Sequence, residues 1–101
     1  SVKESYKIIP APGVYITSSI INGQPVYGMT NIGINPTVSS DAAQTIETYY
    51  LDFKEDLYGK EMELFFHKRL RSEEKFHHLS DLVAAMQLDE KNTRLYVQQM
   101  G

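Results

Sequence analysis

The spacing of apolar residues changes once along this sequence, and that change limits the fold more than any other feature. In the first 70 residues, apolar and β-branched side chains come in short runs between turn-forming residues, a pattern typical of strands. After residue 78, apolar side chains recur at helical spacing, at Leu79, Leu82, Val83 and Met86. Several strands followed by one helix predict a mainly β domain, in which an antiparallel sheet or small barrel packs against the helix.

Turn signals divide the β region into four predicted strands: Gly13 to Ile21, Val26 to Ile32, Thr45 to Phe53 and Glu61 to Leu70. The dipeptide Asn22-Gly23 between the first two is the strongest short signal for a hairpin. Because four strands close a barrel poorly, the segment Tyr6 to Ile9 is a candidate for a further strand.

The connecting segments and the helix start are also predicted. The polar, turn-rich segment Gly33 to Ala43 is expected to be a loop, and Asp56 to Gly59 a turn. Ser80 is the expected N-cap of the helix, with Asp81 in its first turn. The apolar face weakens after Met86, which predicts that the last helical turns pack loosely.

Composition narrows the function classes. The 101 residues, 42% hydrophobic and 23% charged, fit one soluble domain covering residues 1–101. A net charge of −3 argues against nucleic-acid binding by phosphate neutralisation. No apolar run reaches the roughly 20 residues of a membrane span. The sequence has no Cys, which excludes thiolate chemistry, and it opens without a signal peptide, so we expect a cytoplasmic protein.

Glu47 is the most informative single residue. In a strand from Thr45 to Phe53, its side chain shares a face with Leu51 and Phe53. If that face is the core, burial would raise the pKa of the carboxyl group and prepare it to act as a general base. The alternative is that this face is solvated and that Ile46 and Tyr50 form the core side.

Two other segments could bind a ligand. A Gly, two Asn and a Pro within Asn31 to Thr37 are typical of a turn whose exposed amides can hold a phosphate, although an ordinary structural turn fits equally. Lys68, Arg69 and Arg71 cluster near Phe76, and an Arg beside an aromatic ring can hold a planar ligand or a phosphate. A solvated charge run is the alternative. The three His residues lack the partners of a zinc site.

Taken together, these motifs resemble the riboflavin kinase family, and more narrowly the C-terminal kinase module of bacterial bifunctional riboflavin kinase/FAD synthetases. The resemblance runs from about Pro12 to the C-terminal helix. It rests on Pro12 to Tyr15, Asn31 to Thr37, Ile46 to Thr48, Leu51 to Phe53, Asp56 to Lys60, and Lys68 to Arg71 with Phe76.

The resemblance implies a six-stranded antiparallel Greek-key barrel with a C-terminal helix, and transfer of the ATP γ-phosphate to the riboflavin 5′-hydroxyl to give FMN. Mg²⁺ would accompany ATP. By position, Glu47 matches the catalytic base. Nucleotide-binding positions are Asn31, Gly33, Asn35, Thr37 and Tyr58. Flavin-binding positions are Arg71 and Phe76.

One family motif is missing. The family carries a Gly-Phe-Pro-Thr-Ala-Asn type segment whose Thr and Asn bind the metal and the phosphates, and nothing in Ser1 to Ala11 matches it. We therefore assign no metal ligand and expect a fragment of a longer protein with an N-terminal adenylyltransferase module. The alternative function is a non-catalytic barrel that binds flavin or a protein. An oligonucleotide-binding barrel is disfavoured by the acidic balance.

Overall fold

A computed structural model describes residues 10–35, 43–57 and 59–100. Its elements are the strands β1 (Gly13–Ile21), β2 (Gln24–Asn35), β3 (Ala43–Tyr50) and β4 (Phe65–Arg71) and the helix α1 (Leu79–Gln99). The strands form one sheet in the order β3-β2-β1-β4, with every neighbouring pair antiparallel. The predicted mainly β sheet with a C-terminal helix is confirmed. The predicted strand at residues 6–9 lies outside the described residues.

The β1–β2 hairpin forms as the sequence predicts. Asn22 and Gly23 have φ angles of 53° and 79°, the left-handed values that a two-residue type I′ turn requires at both positions. Glycine adopts this conformation without steric cost, and Asn tolerates it better than most residues. The turn fixes the register, so that β1 pairs with β2 along its whole length, from Gly13 opposite Ile32 to Ile21 opposite Gln24.

The loop after β2 was predicted to begin at Gly33, but β2 continues to Asn35. Residues 31–35 continue β2 and pair with β3, with Asn31 opposite Glu47 and Gly33 opposite Thr45. The expectation of a turn with exposed amides is therefore wrong for these residues, because their backbone belongs to a sheet ladder. The pairing partners lie 8 to 16 positions further along the chain, in β3, so local turn propensity could not reveal them.

Strands β3 and β4 are both shorter than predicted. β3 ends at Tyr50 because Asp52 takes a left-handed backbone conformation, with φ of 55°. β4 starts at Phe65 rather than Glu61. Just before it, the Glu63 carbonyl accepts a hydrogen bond of 2.7 Å from the Ser19 hydroxyl, a side-chain contact in place of a ladder bond. Neither the left-handed backbone at Asp52 nor the Ser19 hydrogen bond follows from apolar spacing.

Helix α1 begins two residues before the predicted start. His78, with extended backbone angles, is the N-cap, and Ser80 lies inside the helix, so the Ser80 prediction is wrong. Asp81 is in the first turn as expected. The buried residues of the helix, Asp89 and Thr93, lie before its last turn, in which Gln98 and Gln99 are exposed. The predicted loose packing of the last turns therefore stays a prediction. Leu79, in the first turn, is 75% exposed.

The two faces of the sheet differ in character. We call the face carrying Thr17, Thr30 and Thr48 the hydroxyl face, because these three side chains form a hydrogen-bonded row. The opposite face packs against α1 and is called the helix face. The most buried apolar side chains come from the two central strands: Val14, Tyr15, Ile16, Ile21, Met29 and Ile32.

Candidate active site

A cavity of about 260 Å³ lies between the helix face of the sheet and the first half of α1. Its wall combines apolar side chains with several charged or amide groups. The lining residues are Val14, Met29, Asn31, Glu47, Thr48, Tyr49, Arg71, Glu74, Leu82, Met86 and Asp89. An apolar wall with a few convergent polar groups is the usual composition of a small-molecule site.

The cavity accounts for two of the exposed apolar residues of α1. Leu82 and Met86 are 37% and 43% exposed, although their spacing predicts a core face. They face the cavity together with Tyr49 of β3, which is 50% exposed. The helix therefore spans a space instead of closing on the sheet at this point, and the space offers apolar surface to a ligand.

Glu47 lies in the middle of β3, directly opposite Asn31 of β2, and lines the cavity. Its side chain is on the helix face, as strand alternation requires, but it is exposed and not buried. The expectation of a carboxyl group desolvated among Leu51 and Phe53 is wrong, because β3 ends before both residues. Exposure to the cavity leaves the carboxylate accessible to a ligand hydroxyl.

Asn31 contributes a polar group that has nothing to bond. Its Oδ1 atom is buried, and no hydrogen-bond partner for it exists among the described residues. A buried amide oxygen without a partner costs roughly 1–3 kcal/mol. Since Asn31 lines the cavity, this unpaired oxygen lies close to the space that a ligand would fill.

Arg71, the last residue of β4, reaches the same cavity from the opposite edge of the sheet. Its Nε donates to Asp89 Oδ1 at 2.9 Å and its Nη2 donates to Asp89 Oδ2 at 2.7 Å. The Asp89 carboxylate thereby raises the pKa of the guanidinium above its ordinary value. The guanidinium carbon lies 6.0 Å from the ring centre of Phe76, at the outer limit of a cation–π contact.

The structure brings together some predicted site residues and separates others. Glu47, Arg71 and Asn31 line one cavity, and Phe76 contacts Arg71. Asn31 was expected at the nucleotide, yet it lies beside Glu47. Its predicted nucleotide role stays a prediction.

Gly33 is placed two residues further along β2. A Cβ atom there would collide with the Glu73 carboxylate, so the glycine allows Glu73 to pack over the strand. The side chain of Asn35, and residues Thr37 and Tyr58, lie outside the described residues.

Lys68 and Arg69 do not reach the cavity. The Lys68 ammonium lies 5.8 Å from the ring centre of Tyr96 on α1, and Arg69 donates to the Pro12 carbonyl at 3.0 Å. Lys68, Arg69 and Arg71 therefore contact different partners, and of the three only Arg71 lines the cavity.

Asp89 is the cavity residue that the sequence interpretation missed. A signal was present, because the helical stripe of Leu82 and Met86 continues at the same spacing through Asp89 and Thr93. A carboxylate on an apolar stripe implies a cationic partner, since an unpaired buried charge is costly. The sequence does not say which cation that is.

Comparison with known proteins identifies the family. The family model described as riboflavin kinase matches residues 1–97. The chain therefore belongs to the riboflavin kinase family, as its motifs indicate.

Individual relatives agree with this assignment. The chain is 40% identical over 95 residues to the bifunctional riboflavin kinase/FMN adenylyltransferase of Listeria monocytogenes, covering 94% of this chain and 30% of that protein. It is 35% identical over 77 residues to an RNA-binding riboflavin kinase of Bacillus subtilis, covering 76% of this chain and 34% of that protein. The chain thus spans about a third of the length of these relatives.

A solved structure shares the fold. A protein described as a macrolide-efflux protein from Streptococcus pneumoniae superposes with a TM-score of 0.79 at 31% identity, covering 86% of this chain and 28% of that one. In the described part of this chain, no helix is both long and apolar enough to cross a membrane.

Proposed function

We propose that the protein is a riboflavin kinase, which transfers the γ-phosphoryl group of ATP to the 5′-hydroxyl of riboflavin and releases FMN and ADP. The observation that carries the proposal is the meeting of Glu47, Asn31 and Arg71 at one apolar-walled cavity. These residues come from three different strands and line one cavity. Because the chain belongs to the riboflavin kinase family, we interpret this cavity as a riboflavin site.

The cavity suits the ring system of a flavin. Leu82, Met86 and Tyr49 provide apolar surface for a flat aromatic ligand, and Arg71 offers directed donors at the edge. At about 260 Å³ the cavity is just below the range of about 300–1,000 Å³ usual for drug-sized ligands. We infer that it takes the ring system, with the ribityl chain running out towards Glu47.

Glu47 would act as the general base. Its carboxylate accepts the proton of the ribityl 5′-hydroxyl as that oxygen attacks the γ-phosphorus and ADP departs. Phosphoryl transfer otherwise depends on placement and on charge neutralisation, to which the walls of the cavity contribute by orienting the nucleophile.

ATP and Mg²⁺ enter this proposal through the family. Among the described residues, no group of three His, Cys, Asp or Glu side chains could hold a metal ion by itself. We name no Mg²⁺ ligand and route no step through the metal. Gly33, Asn35, Thr37 and Tyr58 stay proposed as the nucleotide side.

We also propose that residues 1–101 form one domain of a longer chain, with an adenylyltransferase module on its N-terminal side. The bifunctional Listeria relative supports this arrangement.

A six-stranded Greek-key barrel is proposed as the complete fold. On the hydroxyl face, Ile46 at one edge of the sheet and Phe66 at the other are 48% and 39% exposed, as expected of a barrel interior left open in the described part. Slow hydrogen exchange at the outer-edge amides of β3 in the full-length protein would support closure, and fast exchange would contradict it.

The decisive test is Glu47→Gln in the full-length protein. The variant keeps the shape of the side chain and loses the proton acceptor, so turnover should fall by about 10²- to 10⁴-fold while riboflavin still binds. FMN formation measured by chromatography, with flavin fluorescence for binding, separates the two effects.

The matched control is Glu61→Gln, an exposed carboxylate outside the cavity lining, which should leave turnover unchanged. Near-normal turnover in a folded Glu47→Gln variant would remove Glu47 as the base. Flavin binding without any FMN formation by the wild-type protein would favour the non-catalytic alternative.

The predicted absence of nucleic-acid binding also stays a proposal, since one relative is named as RNA-binding. The net charge of −3 supports it. Retention of a labelled RNA by the protein on a filter at moderate salt would contradict it.

A further inference from the structure

Asp89 is an unusual residue for the middle of a helix that packs on a sheet. Only 4% of its surface is exposed, and with Thr93 it is the most buried residue of α1. Burying an ionised carboxylate is unfavourable unless it is paired and hydrogen-bonded. Its position therefore demands a partner, and that partner is Arg71.

The pairing fixes the guanidinium of Arg71 in one orientation. Two parallel bonds join it to the Asp89 carboxylate, at 2.9 Å from Nε and 2.7 Å from Nη2, the bidentate geometry of strong Arg–carboxylate pairs. The third nitrogen, Nη1, donates to the Ser72 carbonyl at 3.2 Å. All three nitrogens thus have protein partners, and the plane of the group is set.

The orientation matters because Arg71 is a wall of the cavity. Its side chain is 27% exposed, against 6% for that of Asp89, so the arginine presents the accessible surface and the carboxylate stands behind it. One N–H on each terminal nitrogen, and one face of the guanidinium, are left for a ligand.

The helix holds Asp89 in place from its C-terminal side. The Thr93 hydroxyl donates to the Asp89 carbonyl at 2.8 Å. One turn further on, Arg94 donates to both carboxylate oxygens of Asp52, at 2.8 and 3.0 Å, and so ties α1 to the segment after β3. Asp89 therefore joins a tethered helix to a residue at the ligand cavity.

We infer that Asp89 is a positioning residue of the flavin site: it holds the Arg71 guanidinium in the orientation that binds the flavin ring. This inference rests on the proposed function, because it takes the cavity ligand to be riboflavin. It adds a role for a residue of α1 that acts through Arg71 and does not itself carry out chemistry.

The first experiment compares Asp89→Asn with wild type in the full-length protein. The substitution removes the charge and leaves a similar shape. The KM and Kd for riboflavin should rise about tenfold or more, while kcat and the KM for ATP change less than threefold. A residue that only stabilises the fold would lower the melting temperature and leave the riboflavin constants of the folded fraction unchanged.

A double-variant cycle keeps the test informative where the single variant folds poorly. Arg71→Gln should weaken riboflavin binding, and adding Asp89→Asn should restore stability, because no unpaired charge is then buried. If Asp89 acts only through Arg71, the double variant binds riboflavin no worse than Arg71→Gln alone. A further drop in affinity on adding Asp89→Asn would overturn the inference.

Asp52→Asn is the matched control, since it breaks the other ionic tether of the same helix outside the cavity. It should leave riboflavin affinity unchanged. Equal losses of riboflavin affinity in Asp52→Asn and Asp89→Asn would show that tethering of the helix, and not the orientation of Arg71, determines binding.

A wild-type protein that forms no FMN overturns the proposed function. A wild-type protein that forms FMN while Asp89→Asn keeps its riboflavin affinity overturns only the role of Asp89.

Discussion

The two faces of the sheet treat their polar side chains in opposite ways. On the hydroxyl face, Thr30 lies 2.8 Å from the hydroxyls of both Thr17 and Thr48, so the buried groups satisfy one another. On the helix face, the next residue along the same strand, Asn31, buries an amide oxygen for which the described residues offer no partner. The hydroxyl groups on one face thus satisfy one another, whereas the amide oxygen on the other face lacks a partner among the described residues.

The largest effect on folding is expected from Arg71→Ala on the helix face. The substitution leaves the Asp89 carboxylate buried without a cation, and breaking a buried pair in this way costs about 3–5 kcal/mol. Because Arg71 is partly exposed, we expect the lower end, about 3 kcal/mol, in urea unfolding of the full-length protein. A loss below about 1 kcal/mol would mean that Asp89 finds water or another donor.

Thr30→Val should have the next largest effect and tests the hydroxyl face. The change keeps the shape and removes one hydroxyl, which leaves Thr17 and Thr48 each short of a partner, at a cost of about 1–3 kcal/mol. Riboflavin affinity should stay at the wild-type value, since the side chain points away from the cavity. An altered riboflavin Kd in a folded variant would break the contrast between the faces.

Asn31→Leu is the matched change on the helix face and should show the reverse pattern. The free energy of unfolding should equal or exceed that of wild type, by up to about 1–3 kcal/mol, because the substitution removes a buried oxygen that has no hydrogen-bond partner among the described residues. Riboflavin affinity should fall about tenfold, as for one lost hydrogen bond of about 1.4 kcal/mol. Measuring riboflavin binding by calorimetry and stability by urea unfolding for Thr30→Val and Asn31→Leu tests whether one face affects stability and the other affects binding.

The smallest effect concerns the Asp52–Arg94 tether, which lies on the helix side but outside the cavity. Hydrogen bonds from Arg94 hold the pKa of Asp52 below its ordinary value. A carboxyl group with a lowered folded-state pKa contributes stability above its unfolded value of about 3.9 and loses it as the pH falls through the folded value.

We therefore expect amide exchange in the last turns of α1 to quicken below about pH 4, relative to the sheet. Asp52→Asn should remove this added pH dependence. An identical acid response in the variant would mean that other carboxylates govern the docking of this end of the helix.

Local signals in the sequence predicted the local parts of the fold well. Asn22-Gly23 set a turn and a register that need no distant partner, and helical spacing located α1 to within two residues. The extension of β2 through Gly33 was missed, because it depends on pairing with β3, which local turn signals do not reveal.

In the candidate site, too, individual residues were predicted from the sequence, whereas contacts between distant elements were missed. The resemblance to the family predicted that Glu47 and Arg71 are site residues, and the structure places both at one cavity. Asp89 was missed because its partner belongs to β4 and no spacing rule connects a buried carboxylate with a particular arginine. For Glu47, the sequence left open whether its face of the strand is buried or solvated, and the structure shows the side chain exposed.

The tight turn at Asn22-Gly23 also bears on the order in which the molecule assembles. β1 and β2 are joined by two residues, so their pairing closes a very short loop, and hairpins of this kind form in roughly 1–10 μs. Pairing of β1 with β4 must wait for β3 and the segment after it to be accommodated, which is a far larger loss of chain entropy. We therefore expect the outer edge of β1 to be unpaired early in folding, and β4, which carries Arg71 to the cavity, to pair later than the hairpin.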